Sequence, residues 1–366
     1  VTRTERRSSP TSVAHLTRRP FPAAGNEMIE SSSQIKAASK QNALKCTFCA
    51  FDAIAKELAR VNALIEKQLL DCSGTVRDLV SHISFSKGKM LRPGLVLLSG
   101  LACGGITDKH ILAAAIMEMI HNATLLHDDV IDEGKSRRGL PTLNHLKGNE
   151  SAVLLGDFLL SRVFKMCVEL DDGAAEVIAD STATMCEGEM SQTAQRGNWL
   201  LSEPQYLEII TDKSAAMFSA ACQTGAILAG ADKQQAQMLA DFGLNAGIAF
   251  QITDDILDLV GDEAKTGKKT GNDLDRDKLT LPLIHLLKTA PPTDGEFIKR
   301  LITRQTTSNS NGALLEKLRA FGSIKYAGNR ASEFTDLAIS ALEGLSESKY
   351  KKLLIETAKF IAERKA

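Results

Sequence analysis

The chain has 366 residues, 44 Lys and Arg against 45 Asp and Glu, a formal net charge of −1 and 43% hydrophobic residues. No global field favours nucleic acid or an anionic membrane surface, so any affinity for phosphate has to be local. Aromatics at 5% are low for a β-rich fold, and no apolar run reaches the ~18 residues that a spanning helix requires.

Residues 1–27 are rich in Arg, Ser and Pro and show no helical period. Such a stretch reads as a disordered extension, or as an upstream start before Met28, ahead of an organelle-targeting segment of similar composition. The expected division is therefore an N-terminal extension over 1–44 and one domain over 45–366, in a cytoplasmic protein. Seven cysteines and no secretory signal point to free thiols in a reducing compartment. Cys46 and Cys49 form a lone CxxC, a weak metal or redox signal.

From Phe51 a helical pattern takes over, with Phe51, Ile54, Leu58, Val61, Ile65 and Leu69 recurring every three or four residues. Similar patterns cover 93–103, 110–132, 150–170, 173–195, 203–230, 232–260, 279–289, 312–342 and 347–364. No alternating strand or hairpin signal stands out. The stretches 261–278 and 289–296 read as irregular. The expected fold class is all-α, a single large helical bundle of about ten helices, with its site built in the core from facing helices.

Two clusters concentrate the chemistry. "LLHDDVIDEGKSRRG" (125–139) brings Asp128, Asp129 and Asp132 to one helical turn, with Asp128 and Asp132 on one face. "FQITDDILDLVGDEAKTGKK" (250–269) repeats the spacing with Asp254, Asp255 and Asp258. Carboxylates this close repel one another unless a cation is present, and Mg2+ is the natural guest because it takes hard oxygen ligands and keeps phosphates in its shell. Facing each other, two such helices suit a diphosphate and assist its departure. Cations follow: Arg137 and Arg138 after the first cluster, Lys268, Lys269 and Lys278 after the second, and Lys89 and Arg92 before Pro93. Arg suits bidentate phosphate contacts and Lys supplies mobile point charges. His121 lies seven residues before Asp128, on the same face.

These residues resemble the trans-isoprenyl diphosphate synthases. The resemblance runs from about residue 45 to the C-terminus. It rests on GKxxRP at 88–93, HDDVID followed by RRG, the "GE" and Gln of 188–192, "DKSA" at 212–215, "FQITDD" at 250–255 and "TGKKTGNDLDRDKLTLPLI" at 266–284. It implies that Lys89, Arg92, His121 and Arg138 bind isopentenyl diphosphate. Asp128, Asp132 and Asp254, supported by Asp129 and Asp258 and with Asp255 in the same cluster, would hold Mg2+ on the allylic diphosphate. Arg137, Lys213, Lys268 and Lys278 would contact that diphosphate, while Lys213, Ser214 and Gln251 would offset positive charge developing in the reaction. A homodimer is implied as well. Lys87 stands where glycine is common, Ser214 where threonine is usual, and Asp277 replaces a common glycine before Lys278, which puts the reach of that lysine in question.

Product length should follow from what blocks the space beneath the first cluster. One helical turn is ~5.4 Å, comparable to one extended isoprene unit. Ala123 and Thr124, one turn below Asp128, are small, so a growing tail is expected to pass them. Ile120, Met117 and Ala113 lie further down, with Phe164 on the next helix as the expected floor. This reads as a long-chain product of about six to ten units. A short-chain synthase is the alternative. A terpene cyclase would not need Lys89, Arg92 and Arg138 for a second diphosphate, and the intact clusters argue against a non-catalytic partner subunit. A catalytic chain that requires a small partner stays open.

Overall fold

In the computed structural model, which describes residues 49–72, 74–80, 88–137, 139–260, 271, 273–303 and 310–363, the apolar stripes become helices laid side by side. Helix α1 (Ala55–Leu70) buries Val61, Ile65 and Leu69, one residue per turn. Helix α2 (Leu91–Ala102) is apolar nearly all round and lies in the interior. It packs against α3 (Asp108–Ile131), which in turn packs against α1 and against α4 (Asn149–Cys167). Helix α5 (Asp172–Ala194) leads to α6 (Glu203–Ile210), a π-helical turn (Thr211–Ala215) and α7 (Ala216–Leu228). The 28-residue α8 (Lys233–Val260) runs through the middle and meets α7, α12 (Ser323–Ala341) and α13 (Lys349–Glu363).

The apolar residues separate into two clusters. The larger draws on α1 to α5, α7, α8 and α13. The smaller lies beneath α6, the far half of α8, α9 (Leu281–Thr289), α10 (Pro292–Ile302), α11 (Ser310–Ala320) and α12. The aspartate-bearing end of α8 therefore rests on its own apolar base.

The all-α expectation holds, with local differences. The stretch expected as one helix over 312–342 is two, because Gly322 takes φ +68 and breaks the ladder between α11 and α12. Within 289–296, read as irregular, α10 begins at Pro292, a position where the missing proline N–H costs nothing. After the first aspartate cluster, Ser136–Arg137 and Leu140–Pro141 pair as a two-residue antiparallel ladder, too short to show as alternation. Among the described residues no helix is long and apolar enough to cross a membrane. Residues 1–44 and Cys46, and with them the N-terminal and CxxC expectations, lie outside the described residues.

Candidate active site

Helix α3 delivers the first cluster at its C-terminal end. Asp128 is half-buried on the same face as Thr124 and His121. Burial pushes its carboxyl up to about 6, with Glu189 and Asp132 adding to the rise and Lys213 and Arg137 opposing it. Asp129, 100° further round the helix, turns inward. Arg137 grips it, Nε donating to both carboxylate oxygens at 2.9 and 3.1 Å. Around that pair the following turn is stapled. Gly134 N–H donates to Asp129 O at 2.8 Å, the Asn144 amide reaches both Asp129 O and Gly134 O, and Thr142 Oγ1 donates to Gly134 O at 2.6 Å. Asp132 closes the helix and carries a guanidinium on each oxygen, Arg196 at 2.8 Å and Arg276 at 2.9 Å.

Helix α8 repeats the division of labour. Asp254 and Asp258 are half-buried on one face, while Asp255 is only 2% exposed. Its oxygens accept from Tyr206 Oη at 2.8 Å and Gln251 Nε2 at 2.7 Å, and Lys278 Nζ stands 3.6 Å away. Asp258 accepts from the backbone N–H of Asp273 at 3.1 Å, and burial pushes its carboxyl up to about 6. Of the six aspartates expected around metal, Asp129 and Asp255 are engaged by the protein's own side chains in this structure. The middle aspartate of each motif points a third of a turn away and serves the protein.

The three residues expected to act on developing charge converge. The π-helical turn holds Lys213 and Ser214. Lys213 pairs with Glu189 and donates to Gln192 Oε1 at 2.7 Å, both on α5. Ser214 Oγ donates to Gln251 Oε1 at 2.7 Å, and Gln251 passes its own N–H to Asp255. This relay fixes the orientation of the Gln251 amide. The turn is squeezed between Gly188 and Gly247: a Cβ on the first would lie 2.3 Å from Lys213 N, and on the second 2.6 Å from Ala215 Cα.

Lys278 reaches the cluster. Asp277 adopts φ +52, the left-handed conformation a glycine takes freely, so the chain still turns and Lys278 Nζ sits 3.2 Å from Asp273 and near Asp255. Those carboxylates hold the ammonium charged despite burial. Arg92 lies over the Phe218 ring at 4.9 Å. Burial pulls it down to about 10, and its buried Nε meets no hydrogen-bond partner. Lys89 is exposed above the Phe360 ring at 5.8 Å. Arg138, Lys268 and Lys269 lie outside the described residues.

The residues expected to set chain length lie at different depths. Phe164 is 70% exposed on the outer face of α4, because the inward stripe of that helix runs through Leu159, Val163 and Met166; it is no floor within this chain. Ala123 and Ile120 are sealed in the core, leaving Thr124 as the half-buried small residue in phase with Asp128. Arg196 and Tyr206 lie in no sequence motif, and Arg276 and Asp273, within the 266–284 stretch, have no role assigned by it. Arg196, Arg276 and Tyr206 sit far along the chain from the aspartates they serve, outside any local spacing. Glu189 and Gln192 were visible as a motif without a role.

A divalent cation fits this donor set. Asp128 and Asp258, one from each helix, are anions held at a desolvation cost that a neighbouring cation would relieve, and Asp132 already takes two cations in the form of guanidiniums. Among the described residues, no three or more His, Cys, Asp or Glu side chains are gathered closely enough to hold an ion by themselves.

Residues 73–317 match the Polyprenyl synthetase family. The octaprenyl diphosphate synthase of Escherichia coli is 36% identical over 311 residues, 85% of this chain and 96% of that one. A short chain isoprenyl diphosphate synthase of Methanothermobacter thermautotrophicus is 35% identical over 290 residues, 77% and 88% of the two chains. The crystal structure of a polyprenyl synthase from Caulobacter crescentus, complexed with calcium and isoprenyl diphosphate, superposes with a TM-score of 0.83 at 34% identity, covering 87% of this chain and 97% of that one. Paired aspartate helices, a helical bundle and full-length relatives agree: the chain belongs to the polyprenyl synthetase family, the trans-isoprenyl diphosphate synthases, and is a prenyltransferase.

Proposed function

We propose that the chain condenses isopentenyl diphosphate with an allylic diphosphate, head to tail and with Mg2+, to a trans-polyprenyl diphosphate of about six to ten isoprene units. The observation that carries this reading is how the two clusters are tied: Asp128 feels the charge of Lys213, next to which Ser214 donates to Gln251 and Gln251 to Asp255, while Arg276, from the segment after the second cluster, pairs with Asp132 of the first. Mg2+ bound by Asp128, Asp132, Asp254 and Asp258 would neutralise the allylic diphosphate and make it a better leaving group.

The side chains do the rest. Arg137, Lys213 and Lys278 orient that diphosphate by charge-assisted contacts. Arg92, desolvated and with its Nε unsatisfied, has the character of a receptor for the second diphosphate, helped by Lys89 and His121. Ser214 donates its proton to Gln251, so its remaining lone pairs and the nearby backbone carbonyls are free to face positive charge in the reacting carbons. Carbon–oxygen cleavage yields the allylic cation, the isopentenyl double bond attacks it, and the lost proton goes to the released diphosphate.

Relatives named for long products match at 36% identity over 85% of this chain and the short chain synthase at 35% over 77%, and the face of α3 supports the longer product as well. Thr124 there is small and in phase with Asp128. A homodimer has its own support, because Leu154 and Phe164 on α4 and Val168 at its C-terminal cap are 65%, 70% and 85% exposed. They share one side of the helix with Asp157 and Ser161, a mixed face that a second copy would cover.

The test incubates the purified chain with Mg2+, labelled isopentenyl diphosphate and farnesyl diphosphate, and sizes the dephosphorylated products. A ladder ending at six to ten units is expected. A shorter end point keeps the chemistry and overturns the length. No elongation overturns the reading for the chain acting alone.

A further inference from the structure

Two arginines, Arg196 outside every motif and Arg276 within the 266–284 stretch but without a role assigned there, meet at one carboxylate. Arg196 follows α5, Arg276 ends the short 3-10 turn Leu274–Arg276, and each places a guanidinium on a different oxygen of Asp132, at 2.8 and 2.9 Å. The segments carrying them are joined, since Gly197 N–H donates to Asp277 O at 2.9 Å. Gly197 and Asp277 both take positive φ, +72 and +52, so the backbone turns sharply just after each arginine. All three side chains are half-buried, where solvent screens them less than at the open surface.

On Asp132 itself stand two guanidiniums against one carboxylate, with Asp128 the next carboxylate within range. A divalent cation arriving alone must share an Asp132 oxygen with a guanidinium or displace it, and then stand beside both arginines, which like charge opposes. A diphosphate changes that balance: its oxygens offer each guanidinium a bidentate partner at least as good as the one it gives up.

We propose that Arg196 and Arg276 are diphosphate-binding residues that hold Asp132 until diphosphate arrives, so that metal and diphosphate load together at this corner. The proposal rests on the reading of Asp132 as a metal ligand. It assigns to this chain a positive coupling between the two ligands, reciprocal by linkage.

The experiment is calorimetry on the full chain with Mn2+ alone, and with inorganic pyrophosphate in the presence of Mn2+, for wild type, Arg196→Gln and Arg276→Gln. Loss of either arginine is expected to tighten Mn2+ alone by about threefold, the order of one screened ion pair, and to weaken pyrophosphate by about tenfold, the order of one charge-assisted contact. The wild-type coupling therefore shrinks in both variants. Arg196→Lys and Arg276→Lys keep the charge without the fork and carry the same test if a glutamine variant fails to fold. They should hold Mn2+ as wild type does and still lose pyrophosphate affinity. Wild-type binding of both ligands with every variant unchanged overturns this proposal and leaves the proposed function standing. A wild type that binds neither ligand overturns both.

Discussion

Gly188 packs against Lys213 so closely that a Cβ on the glycine would lie 2.3 Å from the lysine's backbone nitrogen. Helix α5 thus sets where the π-helical turn sits, and with it the carbonyls and the Ser214 hydroxyl. Because the crowded atoms are backbone, a methyl group must move the turn. Gly188→Ala should lower kcat by about tenfold to a hundredfold, the order expected of an ångström-scale misplacement, with a smaller change in KM. Steady-state kinetics alongside a melting curve checks this; wild-type kcat would mean that the turn absorbs the methyl.

Thr124 is the position at which length should respond. Its hydroxyl is spent on His121 O at 2.9 Å, and its side chain shares the face of Asp128. Thr124→Phe places a ring one turn below the diphosphate and should shift products towards short chains while elongation continues. Ala123→Phe, by contrast, overfills a sealed position and should chiefly destabilise. Mass spectrometry of the dephosphorylated products decides, and an unchanged ladder from Thr124→Phe sinks the length argument.

Tyr206→Phe removes the donor that Asp255 meets at 2.8 Å inside the protein. The expected cost is about 1–2 kcal/mol, that of a buried acceptor losing one partner. Urea unfolding measures it. Unchanged stability would show that Gln251 and Lys278 satisfy Asp255 without it.

Asp128 and Asp258 titrate near 6 in the folded chain and near ~3.9 when unfolded. Between those values the folded chain binds more protons, so their contribution to stability is fully present below about pH 4 and is lost as pH rises through 6. A divalent cation needs the deprotonated forms and removes that loss. The rise in Tm on adding Mg2+ with pyrophosphate should therefore be larger at pH 7.5 than at pH 5. Scanning fluorimetry reads it directly, and equal increments at both pH values would contradict it.

A paired Phe164→Glu and Val168→Glu change puts two carboxylates on the exposed face of α4 and its C-terminal cap. Sedimentation should report a dimer for wild type and a smaller species for the variant. A wild type that sediments as a monomer would remove the dimer.

Much of this protein is legible in the sequence because its signals are local. Apolar residues three and four apart specify helices, and a DDxxD spacing puts its outer aspartates on one face of any helix that contains it. The same geometry already implies that Asp129 and Asp255 face elsewhere, although not what they meet there. What only the tertiary structure decided are the relations between distant segments: Tyr206 and Lys278 on Asp255, Arg196 and Arg276 on Asp132, and Gly188 against Lys213. It also decided that Phe164 faces out while its neighbour Val163 faces in. A one-residue step turns a helix by 100°, and periodicity identifies an apolar side without saying which neighbour covers it. Helical spacing is fixed by the backbone within a single turn, whereas a partner far along the chain is fixed only by how the helices pack.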